Sequence, residues 1–323
     1  MLDIIRHPIQ HHLESYADCF SQALVTSNPL LDAVLSHVAR SQGKMMRPAL
    51  VLLCALEAGA VTAEALHAAV GLELLHTASL LHDDVLDESD QRRGQASVNA
   101  LWGNKTAVLV GDFLTSKALQ EVSVSGNVRL MERTGWLGQQ LADGELEQMD
   151  ITRDRGFSEA RYYSMITKKT ASLFETCART GTLLAGGGEE LVGRMGQFGR
   201  SVGICFQMRD DLLDYDNQHD TGKPSGNDMK EGKLTLPVIY ALISTDNEAM
   251  KSVALKVRRG EATDEEIDCL IDFTHRHGGI AYTEKKIDQT ASEALTLIPN
   301  GVGERSVTDA LSLYVNFVAG RSL

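Results

Sequence analysis

Two short segments could hold a metal. Asp83, Asp84 and Asp87 lie in DDVLD, and Asp210, Asp211 and Asp214 lie in DDLLD. On a helix, residues i and i+4 share a face and i+1 lies beside it, so each segment presents a cluster of carboxylates. Such clusters repel themselves, and near a helix C-terminus each negative charge costs a further ~0.3–1 kcal/mol. A single acidic helix end is explained by solvation. Two of them, each ending a long apolar helix, call for a polycation. Mg²⁺ fits best, since it takes oxygen ligands, keeps several waters and binds through a few carboxylates plus phosphate. A calcium loop is excluded by the helical setting and the absence of D-x-D-x-D-G spacing. A di-iron bundle fails too: Glu64–His67 and Glu73–His76 sit nine residues apart on one helix and point to opposite sides.

A formal charge of −13 argues against nucleic acid or an anionic membrane as partner, so any anionic substrate needs locally placed cations. Candidates exist. Lys44 and Arg47 stand three apart at a helix start in GKMMRP, a good anion site by charge and dipole. Arg92-Arg93-Gly94 closes the loop after the first triad. Lys168-Lys169-Thr170 opens a helix segment, and Gly222-Lys223 and Gly232-Lys233 flank the loop after the second triad. Each alone reads as surface charge. Gly226–Lys233 is not a phosphate-binding P-loop, having five residues before GK and Leu234 after it.

The elements that carry these residues read as helices throughout. Proline is scarce (6), aromatics are 5%, and Ala, Leu, Glu and Met suit helix interiors. Apolar periodicity predicts helices at 9–25, 29–41, 46–59, 62–88, 96–102, 105–122, 127–150, 158–186, 188–217, 233–244, 246–258, 263–275, 277–297 and 303–320. No low-complexity linker divides the chain, which predicts an all-α fold in one domain over 1–323. The five cysteines are scattered and suit buried thiols in a reducing compartment. The N-terminus lacks a signal-peptide layout, and the apolar run 49–61 is interrupted by Glu57 and too short to span a bilayer. A soluble, cytoplasmic protein with no transmembrane segment is expected.

Taken together, GKMMRP (43–48), ELLHTASLLHDDVLDESDQRRG (73–94), GDFL (111–114), DGELEQ (143–148), KKTASLFE (168–175), FQMRDDLLDY (206–215) and GKPSGNDMKEGKLTLP (222–237) resemble the trans-polyprenyl diphosphate synthase family. The segments run in family order. The resemblance implies a bundle of long, mostly antiparallel helices around a central cavity, and a homodimer. It implies that the six aspartates hold Mg²⁺, roughly three ions with bound diphosphate, against an allylic substrate. Arg92, Lys169 and Lys233 would touch the same diphosphate, with Thr170 and Gln207 nearby and Lys223 among the substrate-binding residues. Lys44, Arg47, His76 and Arg93 would bind isopentenyl diphosphate. His76 also suits a hydrogen-bonded core histidine, and it could be mistaken for a base, a part that the resemblance gives to the departing pyrophosphate. Met45 stands where the family often has Arg, which leaves this segment less basic than usual.

The implied reaction condenses isopentenyl diphosphate with an allylic diphosphate, head to tail with trans geometry. Its product length depends on what lies beneath the first triad. Ser79 is one turn before Asp83, about 6 Å down the helix, and Ala78 is adjacent. Short-chain members carry a bulky aromatic there, so two small residues predict a longer tunnel. On helix 127–150, taking Glu145 as facing the mouth puts Leu141, Gly138, Thr134 and Met131 on one face, with Trp136 opposite in the core. Met131, about 21 Å from Glu145, is the candidate floor. The expected product is a long-chain polyprenyl diphosphate of the octaprenyl type, for a quinone side chain. A class I terpene cyclase would replace the second triad. A non-catalytic partner subunit would lack aspartates that are present here, and a generic scaffold would leave the triads unexplained.

Overall fold

The computed structural model describes residues 1–40, 43–215, 226–299 and 303–320. Lys223 lies outside them. The helices run α1 Leu2–Arg6, α2 Gln10–Ala23, α3 Pro29–Arg40, α4 Met46–Ala58, α5 Ala63–Leu86, α6 Val98–Trp102, α7 Asn104–Ser123, α8 Val128–Arg153 and α9 Glu159–Ile166. They continue with α10 Ser172–Leu184, α11 Glu189–Leu213, α12 Asn227–Lys230, α13 Leu236–Thr245, α14 Glu248–Arg258, α15 Asp264–Arg276, α16 Gly279–Leu297 and α17 Arg305–Gly320. Among the described residues the one strand pairing is a two-residue antiparallel ladder, β1 Gln91–Arg92 with β2 Gln95–Ala96. The all-α expectation holds, and no helix among the described residues is long and apolar enough to cross a membrane.

The chain forms two compact units. The first comprises Met1–Gln139, Leu173–Gly199 and Leu297–Leu313. Its α4 is apolar nearly all round, and Leu50, Leu52, Leu53 and Cys54 have no exposed surface, as expected of a helix buried on every side. Each such leucine contributes about 1.5–3 kcal/mol by leaving water. Helix α5 packs on α7, α4 and α2. It starts where the Thr62 hydroxyl accepts the Ala65 N–H at 3.1 Å. Its apolar run then carries the first aspartate triad to its C-terminal end.

The second unit comprises Gln140–Ser172, Arg200–Thr296 and Tyr314–Leu323. Its core gathers Tyr162, Met208, Tyr215, Leu236, Ile239 and Ile271. The sequence sets its helix starts: Asn247 caps α14, Ser158 caps α9, and Thr263 with Glu266 forms a capping box on α15.

Four features differ from the sequence expectation. The helix expected over 158–186 is broken at Thr167–Ala171 by a π-helical turn. The loop expected before Gly232 contains α12, entered through Gly226 at φ 81. The chain is already helical at Leu2–Arg6, before the first expected helix. Trp136 is not a core residue. It is half-buried, and the Arg133 guanidinium lies 3.6 Å from its ring centroid, a cation–π contact that covers the indole on its own helix.

Candidate active site

In the first unit, the C-terminus of α5 presents its three aspartates unequally. Asp84 turns inward, 1% exposed, whereas Asp83 is half-buried and Asp87 exposed. Arg92 Nε donates to Asp84 Oδ1 at 2.6 Å, a charge-assisted bond on a buried carboxylate. Burial pushes the Asp84 carboxyl up, Arg92 pulls it back down, and Asp87 adds repulsion. The loop holding Arg92 is fixed by polar contacts: Asn99 Nδ2 donates to the Asp84 and Ser89 carbonyls, and the Ser97 hydroxyl donates to the Ser89 carbonyl. Between β1 and β2, Arg93 and Gly94 adopt φ 50 and 73, the pattern of a type I′ turn.

That turn brings Arg93 to the GKMMRP segment. The Arg93 guanidinium packs against Gly43, where an added Cβ would meet it at 2.9 Å. Arg47 lies in the first turn of α4, its guanidinium 5.1 Å from the Phe174 ring centroid. Lys44 is exposed, and its carbonyl accepts from Arg6. His76, Glu73, Asp84, Arg92 and Arg93 line one cleft of about 640 Å³, partly open to solvent, whose other wall is apolar: Phe20, Val38, Leu80, Leu81 and Val98. Burial, then Arg47, Arg93 and Arg92, hold the His76 imidazole well below its usual pKa, so it is neutral at pH 7.

Beneath the triad, Ala78 is buried. Ser79 is half-buried, and its hydroxyl donates to the His76 carbonyl at 2.8 Å. Thr134 is buried and donates to the Leu130 carbonyl at 2.9 Å. Met131 packs with Ala68, Val122, Leu130, Leu183 and Leu184 in an apolar cluster.

The second unit carries the other triad at the end of α11. Asp210 is exposed, and the other two aspartates are held by the protein. Asp211 is 5% exposed and accepts from the Tyr162 hydroxyl at 2.6 Å and from Gln207 Nε2 at 2.7 Å. Gln207 Oε1 in turn accepts from the Thr170 hydroxyl at 2.7 Å, so Thr170, Gln207, Asp211 and Tyr162 form one chain. Burial pushes the Asp211 carboxyl up to about 7 against the pull of its two donors, and Asp210 and Asp214 add repulsion. Asp214 accepts the Asn227 and Asp228 N–H groups, each at 3.0 Å, an anion at the start of α12.

The π-helical turn carries Lys168, Lys169 and Thr170. Such turns add a residue to a helix and re-aim its side chains. Here the two lysines point at acids of α8. Lys169 pairs with Glu145 and donates to Gln148, while Lys168 bridges Asp143 at 2.8 Å and Glu147 at 2.9 Å. The approach is close: a side chain at Gly144 would meet the Lys169 main-chain nitrogen at 2.7 Å. Lys233 pairs with Glu231 at 2.7 Å. Lys169, Thr170, Gln207, Asp211 and Lys233 line one cleft of about 730 Å³, also partly open. Asp228 and Arg258 join that cleft without having been singled out in the sequence, and nothing in their spacing marked them.

Among the described residues, no three His, Cys, Asp or Glu side chains already surround a point as in a closed metal site. The donors still suit Mg²⁺. They are carboxylate oxygens alone, and Asp83, Asp87 and Asp210 keep exposed surface for an ion that completes its shell with water and phosphate oxygens.

The polyprenyl synthetase family model matches residues 28–273, a stretch that includes both triads and every basic segment named above. The chain belongs to this family. It is thus a trans-prenyltransferase of isoprenoid biosynthesis. It is 35% identical to the octaprenyl diphosphate synthase of Haemophilus influenzae over 271 residues, 84% of this chain and 82% of that one. The crystal structure of geranylgeranyl pyrophosphate synthase from Bacteroides thetaiotaomicron superposes with a TM-score of 0.86 at 42% identity over 99% of both chains. That of a decaprenyl diphosphate synthase from Rhodobacter capsulatus gives 0.92 at 30% identity, covering 99% of this chain and 98% of that one. These relatives run from short to long products, so family membership defines the reaction class and leaves chain length open.

Proposed function

We propose that this synthase condenses isopentenyl diphosphate with an allylic diphosphate, head to tail with trans geometry, and repeats the step to a long-chain polyprenyl diphosphate that supplies a quinone side chain. The observation that carries the reading is the pairing of each triad with cations in one cleft: Asp84 with Arg92 and Arg93, and Asp211 with Lys169 and Lys233.

Asp83, Asp84 and Asp87 on the first unit and Asp210, Asp211 and Asp214 on the second are the Mg²⁺ ligands, with Arg92 donating to Asp84, Tyr162 and Gln207 to Asp211, and the Asn227 and Asp228 N–H groups to Asp214. When bound, Mg²⁺ neutralises the charge growing on the departing diphosphate. Arg92, Lys169 and Lys233 hold that diphosphate, Thr170 and Gln207 line its approach, and Lys223 contributes to substrate binding. Each is paired with a carboxylate here, Arg92 with Asp84, Lys169 with Glu145 and Lys233 with Glu231, and its positive charge offsets the charge that develops on the leaving group once it turns to the diphosphate. Lys44, Arg47, Arg93 and His76 hold the diphosphate of isopentenyl diphosphate. A neutral His76 acts there as a hydrogen-bond donor, and the apolar wall of Phe20, Leu80 and Leu81 suits a short hydrocarbon and excludes water.

Small Ala78 and Ser79 support elongation past the triad, with Thr134 and Met131 further along and Met131 as the floor. A product stopping at geranylgeranyl length is the second reading, favoured by the 42% identity to the Bacteroides thetaiotaomicron structure. Mass analysis of products from geranyl, farnesyl and geranylgeranyl primers separates them. Chains longer than geranylgeranyl support the first reading, and failure to extend geranylgeranyl diphosphate overturns it.

The whole chain acts as one synthase domain, in the cytoplasm, as a homodimer. The apolar strip Leu101, Val108, Leu109 and Leu119 on α6 and α7, each at least 40% exposed, supports a self-association surface.

A further inference from the structure

Glu73 sits on α5 one turn before His76, on the wall of the same cleft as Arg92 and Arg93. The reaction as described gives it no task, and it is a carboxylate in a pocket read as a diphosphate site. Its Oε2 is buried and has no hydrogen-bond partner among the described residues. Even the neighbouring Thr77 hydroxyl turns to the Glu73 main-chain carbonyl at 2.8 Å. A carboxylate placed to brace the fold would have its oxygens satisfied, because an unpaired buried acceptor is costly.

The charges around it explain the placement. Asp84 is engaged by Arg92 at 2.6 Å. Burial pushes the Glu73 carboxyl up, Arg47 and Arg93 pull it back toward its charged form, and the two arginines repel each other. We propose that Glu73 is a positioning residue for the isopentenyl diphosphate site, a counter-charge in the same cleft as Arg93 that limits how tightly Arg47 and Arg93 grip a diphosphate. The proposal rests on the reading of Arg47, Arg93 and His76 as diphosphate ligands.

The consequence is turnover. After each condensation the new allylic diphosphate occupies the position where isopentenyl diphosphate had bound, and it must leave before the next cycle. A pocket of arginines alone would bind that anion tightly in the ground state without helping the transition state. A carboxylate of the same sign as the ligand, set behind the arginines, weakens ground-state binding and speeds release.

The test measures inorganic pyrophosphate in two ways: calorimetric binding without divalent metal, and inhibition of elongation competitive with isopentenyl diphosphate. Glu73→Gln keeps shape and removes charge. Glu73→Met removes charge at nearly the same volume, in case the amide misfolds. Glu73→Asp keeps the charge, and Arg93→Ala identifies the site. Both charge-free variants are expected to bind pyrophosphate on the order of tenfold tighter, the effect of one unit charge near a partly screened anion. The KM for isopentenyl diphosphate and kcat should fall together, and Glu73→Asp should stay near wild type. Equal or weaker binding by Glu73→Gln and Glu73→Met, with Arg93→Ala still weakening it, overturns the role of Glu73 alone. If Arg93→Ala changes nothing, the assignment of the site falls with it.

Discussion

Replacing Tyr162 by Phe removes one hydroxyl from a buried carboxylate. That hydroxyl lies 2.6 Å from Asp211 Oδ2, and the other Asp211 oxygen is taken by Gln207 at 2.7 Å, so no second donor covers the loss. Hydrogen bonds to charged groups contribute about 1.5–3 kcal/mol. The variant should therefore melt lower than wild type by roughly 2–4 °C in metal-free buffer at an alkaline pH where the Asp211 carboxyl, pushed up to about 7, is ionised. Mg²⁺ bound with pyrophosphate would compensate the same oxygen. In their presence the gap should shrink to about a third or less, since a paired charge no longer carries the full cost of desolvation. Differential scanning calorimetry of both proteins, with and without Mg²⁺ and pyrophosphate, measures the four midpoints. An equal loss in both buffers would refute the reasoning, because it would mean that Asp211 takes no part in the metal and diphosphate site.

Replacing Ser79 by Phe should place a ring one turn beneath Asp83 and shorten the product by one or more isoprene units; unchanged length on mass analysis would remove Ser79 from the tunnel. Glu145→Gln frees Lys169 from its ion pair and should lower the KM for the allylic diphosphate several-fold, with initial rates as the readout. Glu57 is buried and accepts from the Gly303 N–H at 3.2 Å and the Thr308 hydroxyl at 3.1 Å, yet burial dominates and pushes its carboxyl up. A raised carboxyl pKa means stability present at low pH and lost as pH rises from about 4.5 through the folded value, so Glu57→Gln should flatten that part of a urea-midpoint profile. The depressed His76 imidazole works the other way: stability present above about 6.5 is lost as pH falls below it, and His76→Gln should reduce that acid loss in the same assay.

The triads and the basic segments were legible because each is a local pattern, contiguous in sequence and set at a helix end. Long apolar periodicity likewise gave α5, α8 and α11 to within a few residues. What escaped depends on distance or on a small backbone change. Tyr162 and Asp211 are 49 residues apart, and no spacing links them. The π-helical turn at Thr167–Ala171 contains no proline or glycine, so no residue there marks it. Trp136 looked like core on a helical wheel because apolarity alone does not register an arginine three residues earlier lying across the ring. Glu73 was visible only as half of an ExxH pair that could not hold iron. Its setting became clear once β1, β2 and their turn brought Arg93 beside Gly43.

The most direct measurement is the incorporation of labelled isopentenyl diphosphate into extractable lipid by the purified chain, given an allylic primer, with Mg²⁺ or with chelator. The account predicts Mg²⁺-dependent incorporation by this chain alone, abolished by Asp83→Asn and by Asp210→Asn. No incorporation with Mg²⁺ and any of the three primers, or unchanged incorporation by either variant, would contradict it.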